Sequence, residues 1–385
     1  MAGSYQRISR LPRGSFFLLG VRGVGKSTWA SRVLPDAYRI DLLDERRHHD
    51  YLGDAGMFAG ELAALEPGSW VIVDEVQRIP SLLNEVHRFI ESRRLKFALL
   101  GSSARKLKAA GTNLLAGRAL RKHMHPLTVA ELDADFDLGL ALRHGTIPLV
   151  WAAEERDAAL EAYVQLYLRE EIRAEALVRN LPGFVRFLPI AALFHGQAIS
   201  VSGIARDAGV ARMTVDGYLD ILEDTLLVSR LPGFEAKLRV RERKHPKLYW
   251  ADPGLVRAVK RQLGPVLAEE IGPLFEGFVL HLLRAHAEEQ KLFDELSYWA
   301  PAQAMRTEVD FLLRRQREFI AIEAKASKRF DRSMVQGLRA IAELPGVVRR
   351  ILVYAGERSL RVDQDIEVWP IRRFSEVLAL GRLWP

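Results

Sequence analysis

The chain has no cysteine among its 385 residues. That excludes disulfides, thiolate metal centres and a cysteine nucleophile. It also lacks any apolar run near the ~20 residues that cross a bilayer, and its N-terminus shows no signal-peptide core. The expected setting is therefore the cytoplasm, with no membrane partner. Internal repeats and low-complexity tracts are missing too. What is present is an ordinary apolar content of 49%, enough for real cores, and a length that suggests two or three domains. The net charge of +7 favours an anionic partner.

Residues 20–27, Gly-Val-Arg-Gly-Val-Gly-Lys-Ser, fit the pattern G-x-x-x-x-G-K-[ST]. The apolar run at 15–20 reads as a strand and residues 27–34 as the following helix. Phosphates need this arrangement. Gly20, Gly23 and Gly25 let backbone N–H groups wrap an anion, and the helix N-terminus adds a favourable dipole. Lys26 supplies a point charge for the β- and γ-phosphates, and Ser27 a hydroxyl for Mg²⁺. The phosphate-binding set is Gly20, Gly23, Val24, Gly25, Lys26, Ser27 and Thr28, and the expected cofactors are ATP and Mg²⁺.

Residues 38–43 read as a second strand and 69–76 as a third, whose unbroken apolar character suits a buried parallel sheet. The third ends in Asp74-Glu75. Asp74 is placed to hold Mg²⁺, and Glu75 to orient or deprotonate the attacking water. Residues 81–94 carry a helical stripe of Leu82, Leu83, Val86, Phe89 and Ile90. The next strand, 96–103, ends in Ser102 and Ser103, either of which can reach the γ-phosphate or the water. Gly117-Arg118 precede an extended segment over 119–128. This alternation predicts a doubly wound α/β domain with ligand at the C-terminal strand ends. An Asn-Lys-x-Asp string is missing, which argues against a small GTPase.

The strings Val73-Asp-Glu-Val-Gln-Arg-Ile-Pro80, Leu100-Gly-Ser-Ser-Ala-Arg-Lys-Leu107, Leu114-Leu-Ala-Gly-Arg118 and Pro126-Leu-Thr128 occur in that order. The chain in this respect resembles the bacterial and archaeal AAA-domain ATPases that carry a C-terminal domain of unknown function. The resemblance implies a P-loop, AAA+-like core over 1–137, a helical lid and winged-helix region over 138–250, and a nuclease-like α/β domain over 251–385. Ser102 or Ser103 then falls at the sensor-1 position. Arg118 falls where AAA+ proteins place a finger that reaches a neighbour's ATP, which implies a homo-oligomer, a hexameric ring being one form. Arg169 and Arg173 are both candidates for a sensor-2 arginine.

In the middle, residues 145–148 read as a turn and 156–177 as a long helix. Ile204, Ala205, Val210, Val215, Leu219 and Leu222 fall at helix-turn-helix spacing, with Gly209 in the turn. A strand from Thr225 follows, as in a winged helix. Residues 237–247 then gather Lys237, Arg239, Arg241, Arg243, Lys244 and Lys247 against one acid, Glu242. On a hairpin tip these side chains would face phosphates and make binding salt-sensitive. Arg212 and Thr214 on the second helix add backbone contacts. The expected partner is DNA, double-stranded or branched.

At the end of the chain, residues 272–283 read as a helix bearing Glu276. Residues 296–300, 307–314, 318–326 and 351–355 read as strands, and 332–342 as a helix with Gln336. Asp310 on one strand and Glu323-x-Lys325 on the next resemble the PD-(D/E)xK nuclease pattern, with Val309 where that signature has proline. The resemblance implies that Asp310 and Glu323, joined by Glu276, hold Mg²⁺ while Lys325 positions or activates water. The function expected is an ATP-driven machine acting on DNA, with remodelling or branch migration of junctions as suitable work. An ATP-gated, Mg²⁺-dependent nuclease is one rival. A signalling switch that holds ATP and a toxin–antitoxin-like regulator are others. Glu75 argues against the switch, which has no need of a hydrolytic carboxylate.

Overall fold

A computed structural model describes residues 5–103, 115, 117–168, 180–234, 245–301, 307–363 and 365–385. Its contacts divide the chain into two units. One holds residues 9–125 with 220–227, and the other residues 1–8, 126–219 and 228–385. The segments read above as the middle and the end thus fall almost wholly in one unit.

The unit built on residues 9–125 is a parallel sheet of five strands: β1 (Phe16–Leu19), β2 (Tyr38–Asp41), β3 (Trp70–Asp74), β4 (Lys96–Gly101) and β5 (Leu120–His123). Their order is β2-β3-β4-β1-β5. Helices Lys26–Val33, Glu45–Gly53, Ala55–Ala63 and Leu82–Arg93 connect the strands. Val71, Val73, Phe97 and Leu99 are fully buried and join Val86 and Phe89 of the helical stripe in one core. β2 is shorter than the sequence suggests, because the Asp41 carboxylate accepts the Leu43 N–H at 2.8 Å and turns the chain. The extended segment from 119 likewise ends early. Thr128 caps the helix Val129–Leu132 in a reciprocal capping box with Glu131.

The other unit contains two sheets. A three-stranded antiparallel one is formed by β6 (Gln197–Ala198), β7 (Val228–Leu231) and β8 (Lys247–Trp250), in the order β6-β8-β7. The helices Leu181–Leu193, Val201–Ala208 and Arg212–Asp224 lie before and between these strands in the chain. The six-stranded mixed sheet comprises β9 (Glu295–Trp299), β10 (Val309–Arg315), β11 (Glu318–Lys325), β12 (Val347–Tyr354), β13 (Leu360–Val362) and β14 (Ile366–Pro370). Its order is β13-β14-β12-β11-β10-β9, with β11, β12 and β14 parallel. The helix Ala268–Gln290 packs on β11.

Two expected helices differ. The one from Arg156 is α-helical only to Ala162 and continues as a π-helix over Tyr163–Leu168. The one from 332 is a short α-helix, Gln336–Ala340, between two 3₁₀ turns. Gly337 packs so closely on the Glu308 carbonyl that a Cβ there would stand 1.8 Å from its oxygen.

Asp252 is what ties residues 145–146 to the helix Pro253–Lys260. It is 1% exposed, caps that helix through the Leu255 N–H at 3.1 Å, and accepts the Thr146 N–H at 2.6 Å. Arg257 adds a second tie, its guanidinium bonding the Arg143 carbonyl at 3.0 Å. Asp252→Ala strands two buried N–H groups, so it should lower unfolding free energy by about 3 kcal/mol. Asp252→Asn keeps an acceptor and should cost less. Urea unfolding followed by tryptophan fluorescence checks this, since Trp250 is buried two residues away.

Candidate functional site

The phosphate loop leaves β1 at its C-terminal end. Gly23 and Gly25 hold positive φ values of 75° and 89°, a conformation that favours glycine. Gly25 is also the residue from which the helix Lys26–Val33 starts. Gly20 is required for a different reason: a Cβ there would lie 2.4 Å from the Met124 carbonyl oxygen. The Lys26 ammonium is buried and donates to the carbonyls of Gly20 at 2.8 Å and Val21 at 3.3 Å. Ser27 and Thr28 are exposed at the first turn of the helix.

β4 lies between β1 and β3, so its end falls between the phosphate loop and Asp74. Burial raises the Asp74 carboxyl above its ordinary range; a hydrogen bond from the Ser27 hydroxyl opposes the shift, and the Glu75 charge adds to it. The sequence-expected magnesium pair, Ser27 and Asp74, is thus in contact. Glu75 sits at φ 55°, ψ 42°, a left-handed conformation that costs a non-glycine residue about 1–3 kcal/mol. Ser102 and Ser103 are both buried, and the Ser102 hydroxyl donates to Glu75 Oε2 at 3.3 Å. Gln77 completes this group. Its side-chain amide donates to Glu75 Oε2 and, at 3.0 Å, to Ser102 Oγ. Gln77 was visible in the string Asp-Glu-Val-Gln, but only the 3₁₀ turn Val76–Arg78 reveals that it folds back on Glu75.

Arg118 stands elsewhere. It ion-pairs with Glu91 just before β5, where Leu120 is paired with Phe16, the first residue of β1. That is the edge of the sheet opposite the phosphate loop, so Arg118 cannot serve its own chain's nucleotide.

In the other unit, Asp310, Glu323, Lys325 and Glu276 do come together. Asp310 Oδ2 accepts the Ala324 N–H at 2.8 Å, and Lys325 Nζ bonds Glu323 Oε1 at 2.5 Å. The register slips between Val309 and Leu312 where β10 meets β9, and this bulge brackets Asp310. Glu308, missed in the sequence, joins the group: oxygens of Glu276, Glu308 and Asp310 lie within 4.8 Å of one another. Burial pushes Glu276 up to about 7, with the Asp310 charge adding to it. Glu323 is raised for the same two reasons.

Lys247 requires a correction. It was expected on a phosphate-facing hairpin, but it is 4% exposed and its ammonium is among these carboxylates. Nζ is 2.9 Å from Glu276 and 3.6 Å from Asp310, and it also contacts Glu308. Burial would lower its pKa, but the charges of Glu276, Asp310 and Glu308 outweigh that and raise it. Tyr249, two residues on and so on the same face of β8, donates its hydroxyl to Glu276. The alternation Lys247-x-Tyr249 and Glu308-x-Asp310 was the available signal. Lys237, Arg239, Arg241, Arg243, Lys244, Arg169 and Arg173 lie outside the described residues. Arg212 is exposed and Thr214 half-buried on the helix Arg212–Asp224.

Comparison with known proteins bears on the parallel-sheet unit. A family model described as an AAA domain matches residues 13–133. Residues 13–133 are an AAA domain, of the P-loop ATPase type. Two further models, both described as domains of unknown function, match residues 136–265 (DUF8612) and 271–374 (DUF4143). Uncharacterised proteins of Mycobacterium bovis and Mycobacterium tuberculosis are each 28% identical over 361 residues, covering 92% of this chain and 79% of theirs. Among solved structures, the Aeropyrum pernix ORC1 protein in complex with DNA is 17% identical, covering 66% of this chain and 87% of that one, with a TM-score of 0.28. Vibrio cholerae protein VC1899 is 13% identical, covering 96% of each chain, with a TM-score of 0.23. Scores that low carry no argument. Among the described residues, no helix is long and apolar enough to cross a membrane.

The position of Lys247 leads to a direct expectation for the carboxylate cluster. Lys247→Met removes the ammonium shared by Glu276, Glu308 and Asp310 and leaves, among the described residues, only Lys325, 3.9 Å from Asp310, so the melting temperature should fall by roughly 10 °C. Mg²⁺ or Mn²⁺ should restore it in the variant and leave the wild type unchanged. Thermal scans with and without divalent ions check this; a wild type strongly stabilised by Mg²⁺ would show that Lys247 does not exclude metal.

Proposed function

We propose that the protein binds ATP with Mg²⁺ and hydrolyses it at the strand ends of its AAA domain, as a motor whose other unit handles DNA. The observation that carries the ATPase reading is the meeting of residues 20–27, Asp74, Glu75 and Ser102 at one edge of the sheet. Backbone N–H groups of the glycine loop cradle the phosphates, and Lys26 turns from the carbonyls of Gly20 and Val21 onto them. Ser27 and Asp74 are the residues that would hold Mg²⁺, which supplies charge neutralisation to the phosphoryl oxygens when bound. Glu75 orients the attacking water and takes its proton. Arg118, at the far edge of its own sheet, is the group we assign to the nucleotide of a neighbouring copy in a homo-oligomer.

Lys26→Ala should abolish nucleotide binding. Glu75→Gln should bind nucleotide normally and lose turnover by about 100-fold or more. Fluorescent-nucleotide titration and phosphate release measure the two quantities. Wild-type turnover in the Glu75→Gln variant would remove that residue from the catalytic role.

The DNA reading is supported by the helices Val201–Ala208 and Arg212–Asp224, which meet at Gly209 with φ 61° and are followed by the strands β7 and β8. We read this order of elements as a winged helix, whose second helix opens with exposed Arg212 and Met213. Arg212→Ala should weaken binding of duplex DNA about equally across sequences. It should also flatten the log–log salt dependence by about one unit. Anisotropy titrations at several salt concentrations test this. Unchanged affinity and slope would leave the helix without a DNA role and favour a protein-docking one.

A further inference from the structure

Resting on the ATPase reading, we infer that Gln77 is the positioning residue that aims the Glu75 carboxylate over the γ-phosphate site. Gln77 is 5% exposed, and its amide nitrogen has two hydrogens and two partners, Glu75 Oε2 and Ser102 Oγ. A carboxylate accepts only, so the nitrogen rather than the oxygen of the amide must face Glu75. The Ser102 hydroxyl accepts from Gln77 and donates its own hydrogen to the same Glu75 oxygen. The three side chains therefore close a ring in which each hydrogen has an assigned acceptor.

The direction of the pull follows from the sheet. Ser102 directly follows β4, which stands between β3 and β1. Drawing Oε2 towards Ser102 brings the carboxylate to the phosphate-loop side of β3 and leaves Oε1 to meet water. Without the ring, the Glu75 side chain is free to swing on a backbone already in the left-handed region. Gly101 belongs to the same device. A Cβ there would stand 2.6 Å from Gln77 Oε1, so a side chain at this position would push the amide aside. The pattern Glu-x-Gln on one strand end and Gly-Ser on the next is thus a single structural unit.

The test uses the full chain with Gln77→Met and Gln77→Glu, both close to glutamine in size. Met removes both donors; Glu sets a second carboxylate against Glu75. Turnover at saturating ATP should fall about 10- to 100-fold in each, the cost of a misplaced catalytic group. Nucleotide affinity should stay within about threefold, because Gln77 touches no residue of the phosphate loop in the contacts described. Combining Gln77→Met with Ser102→Ala should cost less than the product of the single losses, since both act through one oxygen. Full turnover in both Gln77 variants, with Glu75→Gln inactive, overturns the inference while leaving the ATPase reading intact. A rise in turnover overturns it too, showing a brake rather than an aim. Equal losses of affinity, turnover and melting temperature make Gln77 merely structural and overturn it. A wild type without ATPase activity removes the underlying reading, and this inference with it.

Discussion

The nucleotide site depends on one constraint, the insertion of β4 between β1 and β3 in a parallel sheet. Parallel pairing puts every strand's C-terminal end on the same edge. The glycine loop, Asp74-Glu75 and Gly101-Ser102 are separated by tens of residues in sequence, and the ladder alone brings them side by side. The pairing runs past the strands: the Gly20 N–H reaches the Gly101 carbonyl at 3.3 Å, and the Leu42 N–H reaches Asp74 at 3.2 Å. A glycine on each side of that first bond lets Met124 and Gln77 approach the strand ends, where a side chain would collide. The geometry of the proposed site is a property of the sheet before it is a property of any loop.

Charge is handled differently in the two units. At the AAA domain's strand ends Ser27 and Thr28 remain exposed, so the site can exchange solvent for an anionic ligand. At the carboxylate cluster Lys247, Asp310 and Glu323 are nearly inaccessible. Burying several acids together is costly unless cations lie among them; Lys247 lies among Glu276, Glu308 and Asp310, and Lys325 pairs with Glu323. The same acids can be described as a divalent-metal site or as a buried ion cluster, and the position of one ammonium separates the two. The PD-(D/E)xK-like spacing therefore speaks to how the strands are arranged more than to whether they cleave.

Much of the AAA domain was legible because its signals are local. The glycine loop, the apolar run into Asp74-Glu75 and the helical stripe from Leu82 each lie within a dozen residues, and each landed within two or three residues of its structural bounds. Asp310, Glu323 and Lys325 were legible for a related reason: strands β10 and β11 form a tight antiparallel pair, so near neighbours in sequence face each other. What escaped was long-range. Lys247 sits at the end of a basic run, and composition assigned it to solvent; its partners Glu276 and Glu308 are 29 and 61 residues away. Charge density along a sequence cannot distinguish a solvated cation from one that a distant carboxylate group has enclosed.

Gln77 escaped for a subtler reason. A strand continuing past Glu75 would put Gln77 on the same face as Glu75 but about 7 Å further along, out of reach of the carboxylate. Here the left-handed backbone of Glu75 ends the extended strand, and the 3₁₀ turn Val76–Arg78 carries Gln77 back beneath the carboxylate. Arg78 holds that turn in place, its guanidinium bonding the Leu42 carbonyl at 2.7 Å and Glu45 at 2.9 Å. The strain at Glu75 is what lets the carboxylate and its aligning amide come from the same short segment. A relaxed, extended Glu75 would send Gln77 onward with the strand direction, and Ser102 alone would remain to orient the carboxylate.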